Sequence, residues 1–364
     1  MNGSKNQRTT YLYIEYLRVL SALFVIVIHV SGANLFRIEL GSSNWIIQAF
    51  YNIGARFSVC VFCMISGALL LGRGHDISIN DIYGRYVKRM LICLISWIII
   101  YALFYTIIDH EDFPYFIERL FKLPDHLWYP IMIIGLYMAY PVLSLISKNR
   151  SIVLYMIWLI ILFDILTLIS GTSTFFEEVA GDSKVYYLFG KILGNLENIK
   201  ASFVPGYLGL FMMGHYIHSY GLGKWHKLIV YASIPALIVS AILTVIISVY
   251  TGRNVYTFML ETNPFVVLAS AGIFAFFKSK EPQLNKKASD SNFVKIMLWI
   301  GSYTFGIYLI HYAIRDILDR YFNISVATIN PLIGVPVISV LIFAISLILS
   351  VIAKKIPYIK TIVT

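Results

Sequence analysis

Charged residues are scarce in this chain of 364 residues. Asp, Glu, Lys and Arg make up 13% of it, about half of the roughly 25% found in soluble domains. Hydrophobic residues make up 59%, and the mean hydropathy is +0.76. This composition excludes a soluble globular domain, so the sequence predicts an all-α polytopic membrane protein.

Cysteine is nearly absent, and motifs for common cofactors are missing. Cys60, Cys63 and Cys93 all fall in predicted membrane spans, which excludes an external disulfide framework. Cys60 and Cys63 spell C-x-x-C, but a membrane helix supplies neither further zinc ligands nor a thioredoxin-like context. No GxxxxGK[ST] or GxGxxG phosphate loop is present. We therefore expect no metal site and no permanently bound cofactor.

Ten hydrophobic runs are each close to the roughly 20 residues that a bilayer requires. They lie near residues 11–31, 48–71, 87–108, 127–147, 151–170, 203–219, 228–250, 263–278, 294–314 and 331–353. The first run is longer than a signal-peptide core and is broken by charge, so we expect it to be retained. Together they predict a single integral membrane domain over residues 1–364.

The distribution of basic residues predicts the orientation of these spans. With a cytoplasmic N-terminus, 18 of the 29 Lys and Arg residues fall in cytoplasmic segments, nine fall outside and two, Arg18 and Arg56, fall within spans. This bias predicts that both termini are cytoplasmic. The net charge of +10 thus reflects topology and contact with membrane lipid, and it gives no reason to expect nucleic acid as a partner.

The first span carries charges where a membrane helix should have none. Glu15, Arg18 and His29 interrupt its apolar run. At 100° per residue, Arg18 and His29 face the same way and lie roughly 16 Å apart along the axis. Ionisable groups in a membrane are costly, so they usually face a cavity and act there, although a buried ion pair that fixes helix packing is the alternative.

Polar residues collect at two levels of the predicted bundle. Near the external level are His29, Arg56, His126, Trp128, Asp164 and His311. Taken singly, His126 and Trp128 could be interfacial anchors and His311 a packing residue, but histidines that share one level are suited to carrying protons. Near the cytoplasmic level are Ser66, Arg73, Arg85, Lys88 and Arg89. The cations could bind phosphates, although the positive-inside rule alone would also place them there.

Several motifs together resemble acyltransferase family 3, a family of membrane enzymes. They are the Arg18-x10-His29 spacing, Arg56 followed by Ser66-Gly67, His126-Leu127-Trp128-Tyr129, Tyr137 with Pro141, residues 210–214 and the stretch from Ser302 to His311. The match covers almost the whole chain. Within the family the chain looks similar to the short stand-alone type that acetylates enterobacterial common antigen, and no SGNH domain is expected after span ten. Glu15 stands where the family usually has Asp, and Cys60 where it often has Pro.

The resemblance implies ten helices, acyl-coenzyme A as the cytoplasmic donor and a surface carbohydrate or glycolipid hydroxyl as the acceptor. Together with the residues, it suggests that the cytoplasmic cations hold the coenzyme A phosphates and that the pantetheine arm passes Arg18. His29 would be the general base or carry the acyl group covalently, and Glu15 would accompany Arg18. Arg56 would stabilise the oxyanion or orient the acceptor. His126, Trp128, Tyr137, Asp164 and His311 would line or support the acceptor side.

Two other classes of function stay open at this point. A transporter of a polysaccharide intermediate or small polar solute would also have a polar path, and discontinuous helices or inverted repeats would favour it. A sensor or accessory subunit would have little use for Arg18 and His29 on one helix face. The expected location is a cell membrane, plasma or bacterial inner. The sequence leaves open the acyl group, the acceptor and the oligomeric state, a homo-oligomer included.

Overall fold

The computed structural model describes residues 11–72, 77–172, 188, 206–287 and 291–363 of the chain. Most of these residues are helical, and none of them forms a strand. The helices, in chain order, are α1 (Leu12–Gly32), α2 (Ser43–Ala55), α3 (Phe57–Leu71), α4 (Lys88–Ile108), α5 (Phe113–Phe121), α6 (Trp128–Ser147), α7 (Arg150–Gly171), α8 (Gly206–Tyr220), α9 (His226–Thr251), α10 (Pro264–Ser279), α11 (Glu281–Lys287), α12 (Asn292–Gly301), α13 (Thr304–Phe322), α14 (Pro331–Ala353) and α15 (Pro357–Val363).

The predicted all-helical membrane fold is confirmed. Within the described ranges, eight helical segments are long and apolar enough to cross a membrane, or nine if α12 and α13 count as one broken span. The remaining predicted span, 203–219, corresponds to α8, which has 15 described residues and begins after residues 203–205, which lie outside the description. The long apolar side chains on the outer faces of helices such as α7, with Trp158 63% exposed, suit a lipid surround.

Two of the predicted spans are not continuous helices. The span predicted at 48–71 begins earlier, at Ser43, where Ser42 caps the first turn, and it is interrupted at Arg56. The span predicted at 294–314 bends by 66° between α12 and α13 and extends to Phe322. At the bend, the carboxylate of Glu15 occupies the space beside Gly301 where a Cβ would be. Glycine therefore permits this close approach of α1.

Helix α1 lies at the centre of the bundle and packs on α2, α3, α10, α12, α13 and α14. Its two ends define two ends of the molecule, which we call the Glu15 end and the His29 end. Helix α8 reaches from one to the other: Gly206 lies beside Asp164 and Thr262 at the His29 end, and His218 binds Tyr13 at the Glu15 end, with His218 Nδ1 2.5 Å from the tyrosine oxygen. The bundle thus keeps its polar groups at two separate levels.

Candidate active site

Three histidines from three elements meet at the His29 end. His29 lies in the last turn of α1, His126 in the short turn before α6 and His311 in α13. The ring centroids of His29 and His311 are 5.1 Å apart, those of His126 and His311 5.4 Å and those of His29 and His126 6.4 Å. The structure therefore brings the three predicted histidines into one group, with His311 nearest to both others.

The rings in this group have unused hydrogen-bonding atoms. His126 is 1% exposed and His311 is fully buried, yet both nitrogens of His126 and Nε2 of His311 have no hydrogen-bond partner among the described residues. The other nitrogen of His311, Nδ1, is 2.5 Å from the carbonyl oxygen of Tyr308. Buried polar atoms are almost always satisfied, so unpartnered ones in a cleft indicate a place for a ligand or water.

Hydrogen bonds to the backbone hold the end of α1 around His29. Asn52 Nδ2 donates to the Ile28 carbonyl at 2.9 Å and to Ser31 Oγ at 3.3 Å. Arg315 Nη1 donates to the His29 carbonyl at 3.4 Å. The last four carbonyls of a helix lack helical partners, and a cation near that end is also favourable to the helix dipole. Asn52 and Arg315 therefore fix the position of the His29 turn.

Arg56 lies at the break between α2 and α3 and is paired there. Its Nη1 is 2.5 Å from Glu261 Oε1, while Nε and Nη2 donate to Asn52 Oδ1 at 3.1 and 2.9 Å. Because Asn52 also bonds α1, Arg56 is linked to the His29 turn through one side chain. Sequence reasoning missed Glu261, which stands just before the span that starts at Asn263-Pro264 and resembles an ordinary loop residue.

A second, partly buried ion pair approaches His29 from α13. Arg315 Nη2 is 2.6 Å from Asp316 Oδ1, and its guanidinium lies over the ring of Tyr312 at 3.8 Å. Tyr105 donates to the other oxygen of Asp316 at 2.7 Å. In the sequence, Arg315 and Asp316 stand just beyond the span predicted at 294–314. The extension of α13 to Phe322 puts them inside the structure instead.

Tyr312 and Asp125 lie next to His126 and are hydrogen-bonded to each other. The Tyr312 hydroxyl donates to Asp125 Oδ2 at 2.9 Å, and the ring of Tyr312 stacks on that of His126 with centroids 4.9 Å apart. Further out, Asp109 pairs with Arg119 and Arg320. Partial burial acts in the other direction, but hydrogen bonds from Tyr115 and Arg320 hold the pKa of Asp109 below its ordinary value. This carboxylate therefore stays charged and ties α5 to α13.

A small cavity lies against the histidines. It has a volume of about 20 Å³, and its lining consists of Val25, His29, Val59, Phe62, His126, Trp128, Tyr129 and Tyr308. A space of this size holds about one water-sized group. Trp128 also contacts Tyr207, with ring centroids 5.4 Å apart. The predicted acceptor-side residue Trp128 is thus in the wall of the same cavity as His29 and His126.

The other predicted residues at the His29 side are placed differently. Asp164, in α7, lies beside Gly206 and makes no hydrogen bond or ion pair with the described residues. Tyr137 lies further along α6 and contacts the ring of Tyr86, with centroids 5.8 Å apart. Asp164 therefore lies at the start of α8, which also approaches Thr262, and Tyr137 faces the helix start that carries Arg85.

At the opposite end, Glu15 and Arg18 form an ion pair with 2.6 Å between Oε1 and Nη1. Arg18 remains 31% exposed at its side chain. Between the two levels, Ser66 donates to the Phe62 carbonyl one turn earlier, at 3.1 Å. The charged pair and the histidines therefore occupy different levels of the same central helix, as the sequence spacing requires.

The predicted phosphate-binding cations lie at the Glu15 end of α4. Arg85 belongs to a π-helical turn, Ile82–Val87, and Lys88 and Arg89 open α4. All three are exposed, and none of them forms an ion pair within the part of the chain that the structure describes. Arg73 lies outside the described residues. Three exposed cations near the aromatic residues Tyr86 and Tyr137 are available for an anionic ligand.

The chain belongs to acyltransferase family 3. The family model described as an acyltransferase domain matches residues 11–353, which is nearly the whole chain. No curated protein and no solved structure matches it. The protein is therefore a membrane acyltransferase, and the polar levels found at its two ends belong to an enzyme of that class.

Proposed function

We propose that the protein is an O-acyltransferase that moves a short acyl group, acetyl in the simplest case, from acyl-coenzyme A to a hydroxyl of a surface or exported carbohydrate or glycolipid. The main support for this proposal is the position of the His29 ring. Its ring makes no hydrogen bond to the described residues, and it lines the small cavity together with His126. A cavity of about 20 Å³ favours a short acyl group.

The donor would bind at the Glu15 end. Arg85, Lys88 and Arg89, with Arg73, would hold the phosphates of coenzyme A, for which guanidinium and ammonium groups are suited. The pantetheine arm would then run past Arg18, with its partner Glu15, and past Ser66 toward the cavity. The bias of basic residues supports a cytoplasmic Glu15 end, in a plasma membrane or bacterial inner membrane.

The reaction would take place at the His29 end. His29 would remove the proton from the acceptor hydroxyl while its oxygen forms a bond to the acyl carbon, and the C–S bond of the thioester would then break. The proton held by His29 passes to the departing thiolate, which leaves as free coenzyme A. A covalent acyl-histidine is the other route through the same residue.

Arg56 would stabilise the negative charge that develops on the carbonyl oxygen of the acyl group. A guanidinium has five N–H groups, and the contacts with Asn52 and Glu261 account for three of them. Two donors therefore remain for a developing negative charge. Trp128, His126 and His311 would surround the acceptor, and Tyr137 and Asp164 would support the walls of the path.

Release of free coenzyme A tests this function. Detergent-solubilised protein given acetyl-coenzyme A should release thiol slowly with water and faster with a suitable sugar acceptor, and the rate should fall at low pH because a protonated imidazole is no base. The His29→Ala variant should lose this activity while keeping its fold, since it removes no core packing. His226→Ala, a histidine away from the cavity, is the matched control.

Transport is the competing activity, because the bent pair α12 and α13 is a discontinuous helix of the kind that transporters use. A transporter has no reason to cleave a thioester without a membrane gradient. Thiol release from the parent protein that equals release from His29→Ala with every acceptor, together with solute flux into proteoliposomes, would contradict the transferase proposal.

A further inference from the structure

The tautomer of the neutral His311 ring is determined by its hydrogen bond. Nδ1 lies 2.5 Å from the carbonyl oxygen of Tyr308. A carbonyl oxygen can only accept, so the proton of the neutral ring is on Nδ1 and the lone pair is on Nε2. Nε2 of His311 is therefore a hydrogen-bond acceptor.

This acceptor is buried and unused. His311 is fully buried, and Nε2 has no donor among the described residues. An unsatisfied buried polar atom costs roughly 1–3 kcal/mol, and such atoms are rare enough to require an explanation. A donor is therefore expected to reach Nε2 in the working site.

His29 is the best donor within reach. The two ring centroids are 5.1 Å apart, and each ring nitrogen lies somewhat more than 1 Å from its centroid, so facing nitrogens would be about 2.8 Å apart, a normal hydrogen-bond length. The ring centroid of His126 is farther from that of His311, at 5.4 Å. The Tyr312 hydroxyl already donates to Asp125. His29 has no competing side-chain partner among the described residues.

We propose that His311 is a positioning residue that accepts a hydrogen bond from one ring nitrogen of His29. This bond would leave the lone pair of the other His29 nitrogen directed at the acceptor hydroxyl. When His29 takes the hydroxyl proton, the same bond stabilises the imidazolium until that proton passes to the thiolate. His311 thus has the role that a carboxylate has in a Ser-His-Asp triad, and no charge is added to the site. The inference rests on the proposed function.

Two amide substitutions of His311 differ in whether the new side chain can accept a hydrogen bond from His29. In His311→Gln, the amide oxygen lies near the former Nε2 position and can accept from His29. In His311→Asn, the shorter amide can still donate to the Tyr308 carbonyl but cannot reach His29. We expect kcat for thiol release within about tenfold of the parent for Gln, and a loss on the order of 10²-fold for Asn, with unchanged KM for acyl-coenzyme A and acceptor.

A double variant tests whether His311 acts through His29. In the His29→Ala background, His311→Asn should cause no further loss, because the bond that it removes is already absent. Thermal melting of each solubilised variant shows that the comparison concerns folded protein. Should His311→Asn not fold, a His311→Gln variant that loses as much activity as His29→Ala would overturn the proposal.

Three other results would also overturn it. They are an unchanged kcat in His311→Asn, a rise only in the acceptor KM, and equal losses in stable Gln and Asn variants. Failure of the proposed function looks different, because the parent protein itself would then release no thiol above the His29→Ala background.

Discussion

The two arginines near His29 are each paired with a carboxylate. Arg56 binds Glu261 at 2.5 Å and Arg315 binds Asp316 at 2.6 Å. Uncompensated charge in a low-dielectric interior is expensive, and its partner makes that charge tolerable. Neither arginine is therefore a free cation, and each also holds the backbone of α1, Arg56 through Asn52 and Arg315 directly.

Variants of the Arg56–Glu261 pair distinguish a structural role of Arg56 from a catalytic one. Arg56→Met or Glu261→Leu alone should destabilise the protein, by up to about 3–5 kcal/mol, because each leaves one largely inaccessible charge unpaired. The double variant should regain most of that stability, as measured by thermal melting in detergent. Thiol release by the double variant should stay low, since the oxyanion donor is gone. Recovery of both stability and release would show that Arg56 is only a structural residue.

At the scale of elements, α3 and α8 approach each other unusually closely. A Cβ at Gly67 would overlap the backbone oxygen of Phe211, and a Cβ at Gly214 would overlap that of Met64. Small residues permit such close packing of membrane helices. The glycine of Ser66-Gly67 is thus required for packing, whatever Ser66 does for the donor.

Replacing this glycine should destabilise the helix pair. In Gly67→Ala the new methyl group meets backbone atoms, which cannot move aside cheaply, so we expect a loss on the order of 1–3 kcal/mol or more. Gly135→Ala in α6 is the matched control, because nothing lies within 4 Å of the added Cβ and Ala is the better helix former. Melting temperatures of the two purified variants test the prediction. Equal melting temperatures would mean that α3 and α8 are less closely packed than described.

The two interrupted spans place functional charges. Arg56 lies at the break between α2 and α3, and Glu15 fits beside Gly301 at the bend between α12 and α13. At Arg56 the residues 43–71 still form one span, whereas the backbone changes direction by 66° between α12 and α13. The bend after Gly301 therefore makes room for Glu15 beside the backbone.

At the scale of the whole molecule, donor binding and chemistry lie at opposite ends. The exposed cations are at the Glu15 end of α4, and the histidines are at the other end of α1. Arg85→Ala with Arg89→Ala should therefore weaken the binding of coenzyme A, with a smaller effect on turnover at saturating donor. Isothermal titration with coenzyme A measures the affinity. Lys286→Ala with Lys295→Ala removes two other exposed cations and is the control.

The measured affinity also decides whether Arg85 and Arg89 bind the donor or are at this end only because cytoplasmic segments are rich in basic residues. If affinity is unchanged in the double variant of Arg85 and Arg89, these residues only satisfy the positive-inside rule. If both double variants weaken binding equally, the effect is one of general surface charge. A loss confined to the first pair supports the donor site at the start of α4.

The sequence by itself determined the class of fold and the central helix. Long apolar runs can only be membrane helices, and the spacing of Arg18 and His29 follows from the helical period alone. The motifs were enough to indicate the family, because they stand in order along nearly the whole chain. The levels of His126 and His311 could be predicted, since each stands at a definable depth in its span.

Only the tertiary structure decided which of these residues meet. Side chains on different helices come together by the rotation and tilt of each helix, which neighbouring packing sets and no local pattern encodes. Hence Glu261, Arg315 and Asp316 joined the site although the sequence placed them in loops, and Asp164 and Tyr137 lay apart from the histidines. The interruptions at Arg56 and after Gly301 could not be predicted either, because an apolar run shows how long a span is but not whether its helix is continuous.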